Sequence, residues 1–202
     1  MRRISTLVLA AIVLAGATGC ARRQTFKVPP RVDLKNFELI GVIEFDSSSA
    51  GELGQLATRR FTDLARRDQG LVRIVELGPT QVGSNPESFR TIGGEHGLQT
   101  ILTGKLTVSD VRPDLSIAAS LRSGSLSAKV DATLSVQLIE VASGASIWSR
   151  SASATRSVAQ VSIFSAGDYT FDADDPDRAY GELVDTLVSQ VSRDFRVTWE
   201  RR

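Results

Sequence analysis

Cys20 and His96 are the only thiol and the only imidazole in the chain, and together they bound the chemistry its side chains can perform. A nucleophile needs a general base within reach, and a metal centre needs several ligands of suitable type. Neither residue has a second of its kind to work with. The G-x-S-x-G elbow, the H-E-x-x-H zinc motif, the Walker loop and the dinucleotide G-x-G-x-x-G are all missing. His96 therefore reads as a residue at the carbonyl end of a helix rather than a proton carrier. Glu44, Asp46, Glu76 and Asp110 could supply two carboxylates for glycosidic hydrolysis, which needs a pair at a defined separation. The run Asp172-Ala173-Asp174-Asp175-Pro176-Asp177 holds four carboxylates in six residues, yet lacks the Gly and Glu positions of a calcium loop. A helix start accounts for it, with Asp175 as cap, Pro176 in the first turn and Asp177 at the positive end of the dipole. These residues predict no enzyme, no cofactor and no metal centre.

Modification is what remains for Cys20. Arg2 and Arg3 precede the apolar run Leu7 to Leu14, and small residues from Ala15 to Gly19 lead into the cysteine, which is the layout of an export signal. The run is too short to span a bilayer permanently. The ending Ala17-Thr18-Gly19-Cys20 resembles the bacterial lipobox. That resemblance implies cleavage after Gly19, diacylation of the Cys20 thiol and acylation of the new amino group by palmitate-type chains. One acyl chain binds a membrane reversibly, whereas several anchor it, at roughly 0.8 kcal/mol per buried methylene. Ala21 follows the cysteine, and the resemblance to outer-membrane-sorted lipoproteins then implies the outer membrane, with the domain facing the periplasm. No second cysteine exists for a disulfide, so the fold rests on its apolar core.

Charge narrows the partners further. The chain has 24 basic and 23 acidic side chains, and loss of Arg2 and Arg3 with the leader leaves the balance near neutral. A nucleic-acid binder would need a basic stripe. Residues 1–19 read as the signal peptide, 20–33 as a lipidated flexible linker around Pro29-Pro30, and 34–202 as a single domain. Thirteen residues from Ala21 to Asp33 at roughly 3.3 Å each would hold that domain up to about 40 Å from the lipid.

The elements follow from periodicity. Phe37 to Phe45 is apolar through its middle, as a strand covered on both faces requires. Ser49 and Glu52 form a capping-box pattern ahead of a helix whose buried stripe is Leu53, Leu56, Ala57, Phe61, Leu64 and Ala65. Arg59 and Arg66 fall on its solvent side and are candidate partner contacts. Leu71 to Leu77 is a second strand, Asn85-Pro86 starts a helix burying Phe89 and Ile92, and Thr100 to Ser109 is a third strand. Beyond Leu115 the pattern alternates with period two. Ala128, Val130, Ala132, Leu134, Val136 and Leu138 face a core, and a return strand from Ser146 continues through Ala154 and Val158. Tyr180, Leu183, Val184, Leu187, Val188, Val191 and Phe195 mark a closing amphipathic helix. Trp199 beyond it is expected to pack back on the domain or to be left for a partner.

This order of elements, with Phe37 to Phe45, Ile101-Leu102-Thr103-Gly104-Lys105-Leu106 and Val136 to Ser149 ending in Ile147-Trp148-Ser149, resembles a periplasmic α/β domain. It is the domain of curli-secretion lipoproteins of the CsgG type, Lpo-type activators of peptidoglycan synthases and the amino-terminal domain of TolB. The resemblance implies an α/β (α+β) fold with a mixed, largely antiparallel sheet and flanking amphipathic helices, acting through protein contacts without a cofactor. The expectation is a lipid-anchored envelope protein that binds an envelope partner or itself, with no nucleic acid. An oligomeric secretion pore subunit and a peptidoglycan hydrolase are the alternatives.

Overall fold

The computed structural model describes residues 25–48, 52–80, 85–110, 112–117, 123–164, 168–172 and 176–201. The chain divides into two compact units, one of residues 30–196 and one made from the segments ending at Pro29 and beginning at Val197.

In the larger unit an eight-stranded mixed sheet is built from β2 (Ile40–Ile43), β3 (Asp46–Ser47), β4 (Ile74–Gly78), β5 (Thr100–Val108), β6 (Arg112–Ile117), β7 (Ser123–Glu140), β8 (Ser146–Phe164) and β9 (Asp168–Asp172). The order is β4-β2-β5-β7-β8-β9, with β3 beside β5 and β6 beside β7. Strand β2 pairs in parallel with β4 and β5, and all pairs from β5 to β9 are antiparallel. Three helices flank the sheet: α1 (Leu53–Gln69), α2 (Pro86–His96) and α3 (Pro176–Val191), which runs into a 3₁₀ turn, Ser192–Phe195. This is the expected α+β architecture. All of β2 is buried, which explains why it reads as an unbroken apolar run.

Strand parity sorts the core into two layers. Val42, Leu102, Leu134 and Leu138 pack with Ala57, Phe61 and Ala65 of α1 and Leu183, Leu187 and Val191 of α3. Their sequence neighbours Ile43, Ile101 and Ile139 join Phe89 of α2 on the second layer. An edge-to-face aromatic series runs through the first layer: Phe45 to Phe61 at 5.8 Å, Phe61 to Phe195 at 5.6 Å and Phe195 to Trp148 at 4.6 Å between centroids. Each such pair adds about 0.5–1.5 kcal/mol beyond its buried area.

Helix α1 begins at Leu53, with Glu52 in the cap position and no side-chain cap bond; Ser49 of the expected capping box lies outside the described residues, as does Asp175 before α3. The start of α1 is held instead by close approach. A Cβ on Gly54 would lie 2.1 Å from the Phe45 carbonyl oxygen, and the Thr58 hydroxyl accepts from the Phe45 N–H at 2.8 Å. Gly54→Ala is expected to lower stability by about 1–3 kcal/mol, because backbone and helix must separate; the midpoint of urea unfolding measures it. Helix α2 follows its sequence signals, since Asn85 accepts from the Glu87 N–H at 3.1 Å and Pro86 leads the helix. Its carbonyl end is closed by the backbone N–H of Gly97 at φ 63°, so the capping expected of exposed His96 falls to the next residue.

The smaller unit corrects the linker reading. Thr25–Val28 forms β1, paired antiparallel with β10 (Thr198–Arg201). Residues 20–33 are thus not flexible throughout, because backbone pairing with a segment far along the chain fixes four of them. Four residues lie between Cys20 and Thr25, and the five steps from one to the other have an extended reach of about 17 Å.

Candidate interaction surfaces

Three places gather polar or apolar groups in ways the core does not need. The first surrounds Asp194 in the 3₁₀ turn. Its carboxylate accepts from the Trp148 indole N–H at 3.0 Å and from the Arg150 guanidinium at 2.5 Å. Burial pushes the Asp194 carboxyl up, but the bonds from Trp148 and Arg150 and the charges of Arg150 and Arg31 outweigh it and hold it below the usual range. A shallow hollow of about 200 Å³ adjoins this group, lined by Arg31, Asn36, Phe37, Leu138, Ile147 and Trp148 among others. Because the carboxyl is depressed, its contribution is present above the unfolded pKa and is lost as pH falls through the lower folded value. Asp194→Asn is expected to unfold at lower temperature than the parent at pH 7, with the gap narrowing below about pH 4; parallel thermal melts across pH check it.

Beside it lies Gln69, the last residue of α1 and only 4% exposed. Its amide oxygen accepts from the Leu34 N–H at 2.5 Å, while its amide nitrogen donates to the carbonyls of Val32 at 2.6 Å and Phe195 at 2.9 Å. The Val32 N–H also donates to the Asp194 carbonyl at 3.0 Å. The entering and departing segments of the larger unit are therefore fastened to one side chain. Arg196 and Asp68 form an ion pair at 2.8 Å.

The third place is the outer part of the sheet. Pairing aligns Leu115, Leu126, Val161 and Phe171 in one row across β6, β7, β8 and β9. The adjacent row aligns Ser116, Ser125, Ser162 and Thr170. Directly paired residues share a face and successive residues alternate, so register places apolar positions on one face and hydroxyl positions on the other. By parity Leu126 continues the series Val130, Ala132 and Leu134. A bulge in β8 opposite Ala128 and Lys129 sets the phase: Ser157 and Ala159 are paired and Val158 is the extra residue. Without it Gln160 and Ser162 would take the places of Val161 and Ile163. The expected continuation of this strand through Ala154 and Val158 is met, with Val158 as the unpaired residue of the bulge. Nearer the domain, the polar face carries cross-strand hydroxyl bonds, Thr133 to Ser153 at 2.8 Å and Ser135 to Ser151 at 2.6 Å.

The residues singled out in the sequence do not converge on one point. Cys20 and Gly19 lie outside the described residues. Arg59 is exposed on α1, and Arg66, two turns on, pairs with Glu76 of β4 at 3.5 Å. Trp199 is 65% exposed on β10. Glu44 follows β2, Asp46 lies on β3 opposite Lys105, Glu76 on β4, and Asp110 follows β5. No group of three or more potential metal ligands occurs among the described residues, and none of their helices is long and apolar enough to cross a membrane. Sequence reasoning missed Gln69 and Asp194, for which a polar residue in a buried helical phase was the available signal at Gln69 alone.

No family model and no curated protein matches the chain. Among solved structures it is similar to a PelC dodecamer subunit from Paraburkholderia phytofirmans, at 14% identity over 86% of this chain and 96% of that one, with a TM-score of 0.46. A putative neuraminyllactose-binding hemagglutinin homolog from Helicobacter pylori gives 12% identity over 78% and 80%, with a TM-score of 0.42. The LpoB C-terminal domain from Salmonella enterica gives 13% identity over 63% and 84%, with a TM-score of 0.38.

Proposed function

We propose that this chain is a lipoprotein of the bacterial envelope, anchored through Cys20 to the outer membrane and facing the periplasm, that acts by protein–protein contact with an envelope partner or with copies of itself. The observation that supports contact as its work is the register of the outer sheet. The bulge in β8 spends a residue to keep Val161 and Ile163 in phase with Leu126 and Leu115, which serves a face that is to be covered. Arg59 and Arg66 on α1 are the proposed polar contacts. Catalysis has no part in this reading.

A secretion pore subunit is the second reading, and the same alternating rows favour it. A photocrosslinking residue at Leu126 or at Arg59 in intact cells, followed by identification of the linked chain, tests the contact reading. A discrete adduct supports it. No adduct from either position, combined with single-channel conductance by the purified protein, replaces it with the pore. Clearing of murein in a zymogram would restore the hydrolase built on Glu44, Asp46, Glu76 or Asp110.

A further inference from the structure

We propose that the β1–β10 ribbon is a membrane-surface foot, whose face bearing Trp199 and Lys27 docks on a phospholipid surface that carries anionic headgroups. The inference rests on the lipidation of Cys20 and adds a second, non-covalent contact to it. Pairing puts Lys27 opposite Trp199 and Thr25 opposite Arg201, so by parity these four positions share one face of the ribbon. The single acid of the two strands, Glu200, is opposite Phe26 and belongs to the other face. One face thus combines an aromatic residue with cations and holds no carboxylate. Trp199 is 65% exposed, which leaves a large amphipathic ring in water unless something receives it.

Position along the chain selects the receiver. The five Cα–Cα steps from Cys20 to Thr25 reach at most about 17 Å, so a lipidated Cys20 keeps the ribbon's first residue within that distance of its own acyl chains. Residues 20–31 include Arg22, Arg23, Lys27 and Arg31 and no acid. Indole rings favour the headgroup level of a bilayer, where an apolar body and a polar N–H are both accommodated. Cations close to an anionic leaflet are attracted over roughly a Debye length of about 8 Å. A lipid surface therefore matches the ribbon in charge, in side-chain chemistry and in reach.

The test uses the mature lipidated protein, extracted in detergent and reconstituted into vesicles of phosphatidylethanolamine and phosphatidylglycerol. The chain has two tryptophans, so the emission of the parent minus that of Trp199→Phe reports Trp199 without disturbing Trp148. Expected are a blue-shifted Trp199 emission, strong quenching by lipids brominated near the headgroup and weak quenching by aqueous iodide. Lys27→Glu is expected to reverse the balance between the two quenchers. Flotation of the same vesicles separates this proposal from the anchor on which it rests. Protein that floats while Trp199 stays open to iodide and blind to brominated lipid overturns the docking and leaves the anchor intact. Shielding from both quenchers assigns the face to a protein, such as a second copy, and also overturns it. Protein that does not float removes the anchor and the docking together.

Discussion

Gln69→Leu is expected to destabilise the larger unit by about 3–5 kcal/mol, since a buried backbone group left unpaired costs about 1–3 kcal/mol and three such groups lose their partner. Those groups are the Leu34 N–H and the carbonyls of Val32 and Phe195. Leucine nearly matches the volume of glutamine, so the loss reflects hydrogen bonds rather than a cavity. Against a typical domain stability of about 5–15 kcal/mol this is a large share. Urea unfolding followed by far-ultraviolet circular dichroism measures it, and an unchanged midpoint would show that water replaces the amide without penalty. Gln69→Glu is the informative companion. It keeps an acceptor for Leu34 but loses both donated bonds and places a charge at a position 4% exposed, so it is expected to be at least as damaging at neutral pH as leucine and milder in acid, where the side chain is neutral and regains an O–H donor.

Cys20→Ala is expected to move the protein from the membrane pellet to the soluble fraction of lysed cells, with the folded domain unchanged. Several acyl chains at roughly 0.8 kcal/mol per methylene hold a protein on a bilayer for practical purposes indefinitely, whereas headgroup attraction alone is reversible and salt-sensitive. Intact mass of the mature parent should show an acylated polypeptide beginning at Cys20. Retention of the alanine variant in the pellet after a high-salt wash would contradict the lipid anchor.

The regular elements were legible where periodicity is long and one-sided. The alternation from Ala128 to Leu138 and the stripe from Tyr180 to Phe195 are both reproduced, because each places every apolar residue on a face that the core covers. The four residues of β1 and the four of β10 carry no comparable pattern, since most of them are exposed and their pairing joins distant segments. Neither strand has a reason to be apolar on one side, so composition read Thr25–Val28 as linker. The β8 bulge was hidden for a different reason. Val158 and Val161 are equally apolar, and only the partner strand decides which of them keeps phase with Leu126. The candidate surfaces divide in the same way. Arg59 and Trp199 were visible as residue types, whereas the grouping of Trp148, Arg150 and Asp194 depends on β8 and the 3₁₀ turn meeting across some 44 residues of chain.

The Gln69 clamp has a mechanical consequence. Within the larger unit, a pull on the amino-terminal segment is first met at Val32 and Leu34. There the tension is handed to the end of α1 and to the 3₁₀ turn. Gln69 and the Asp194 carbonyl make that fastening, and neither belongs to the strands that carry the outer rows.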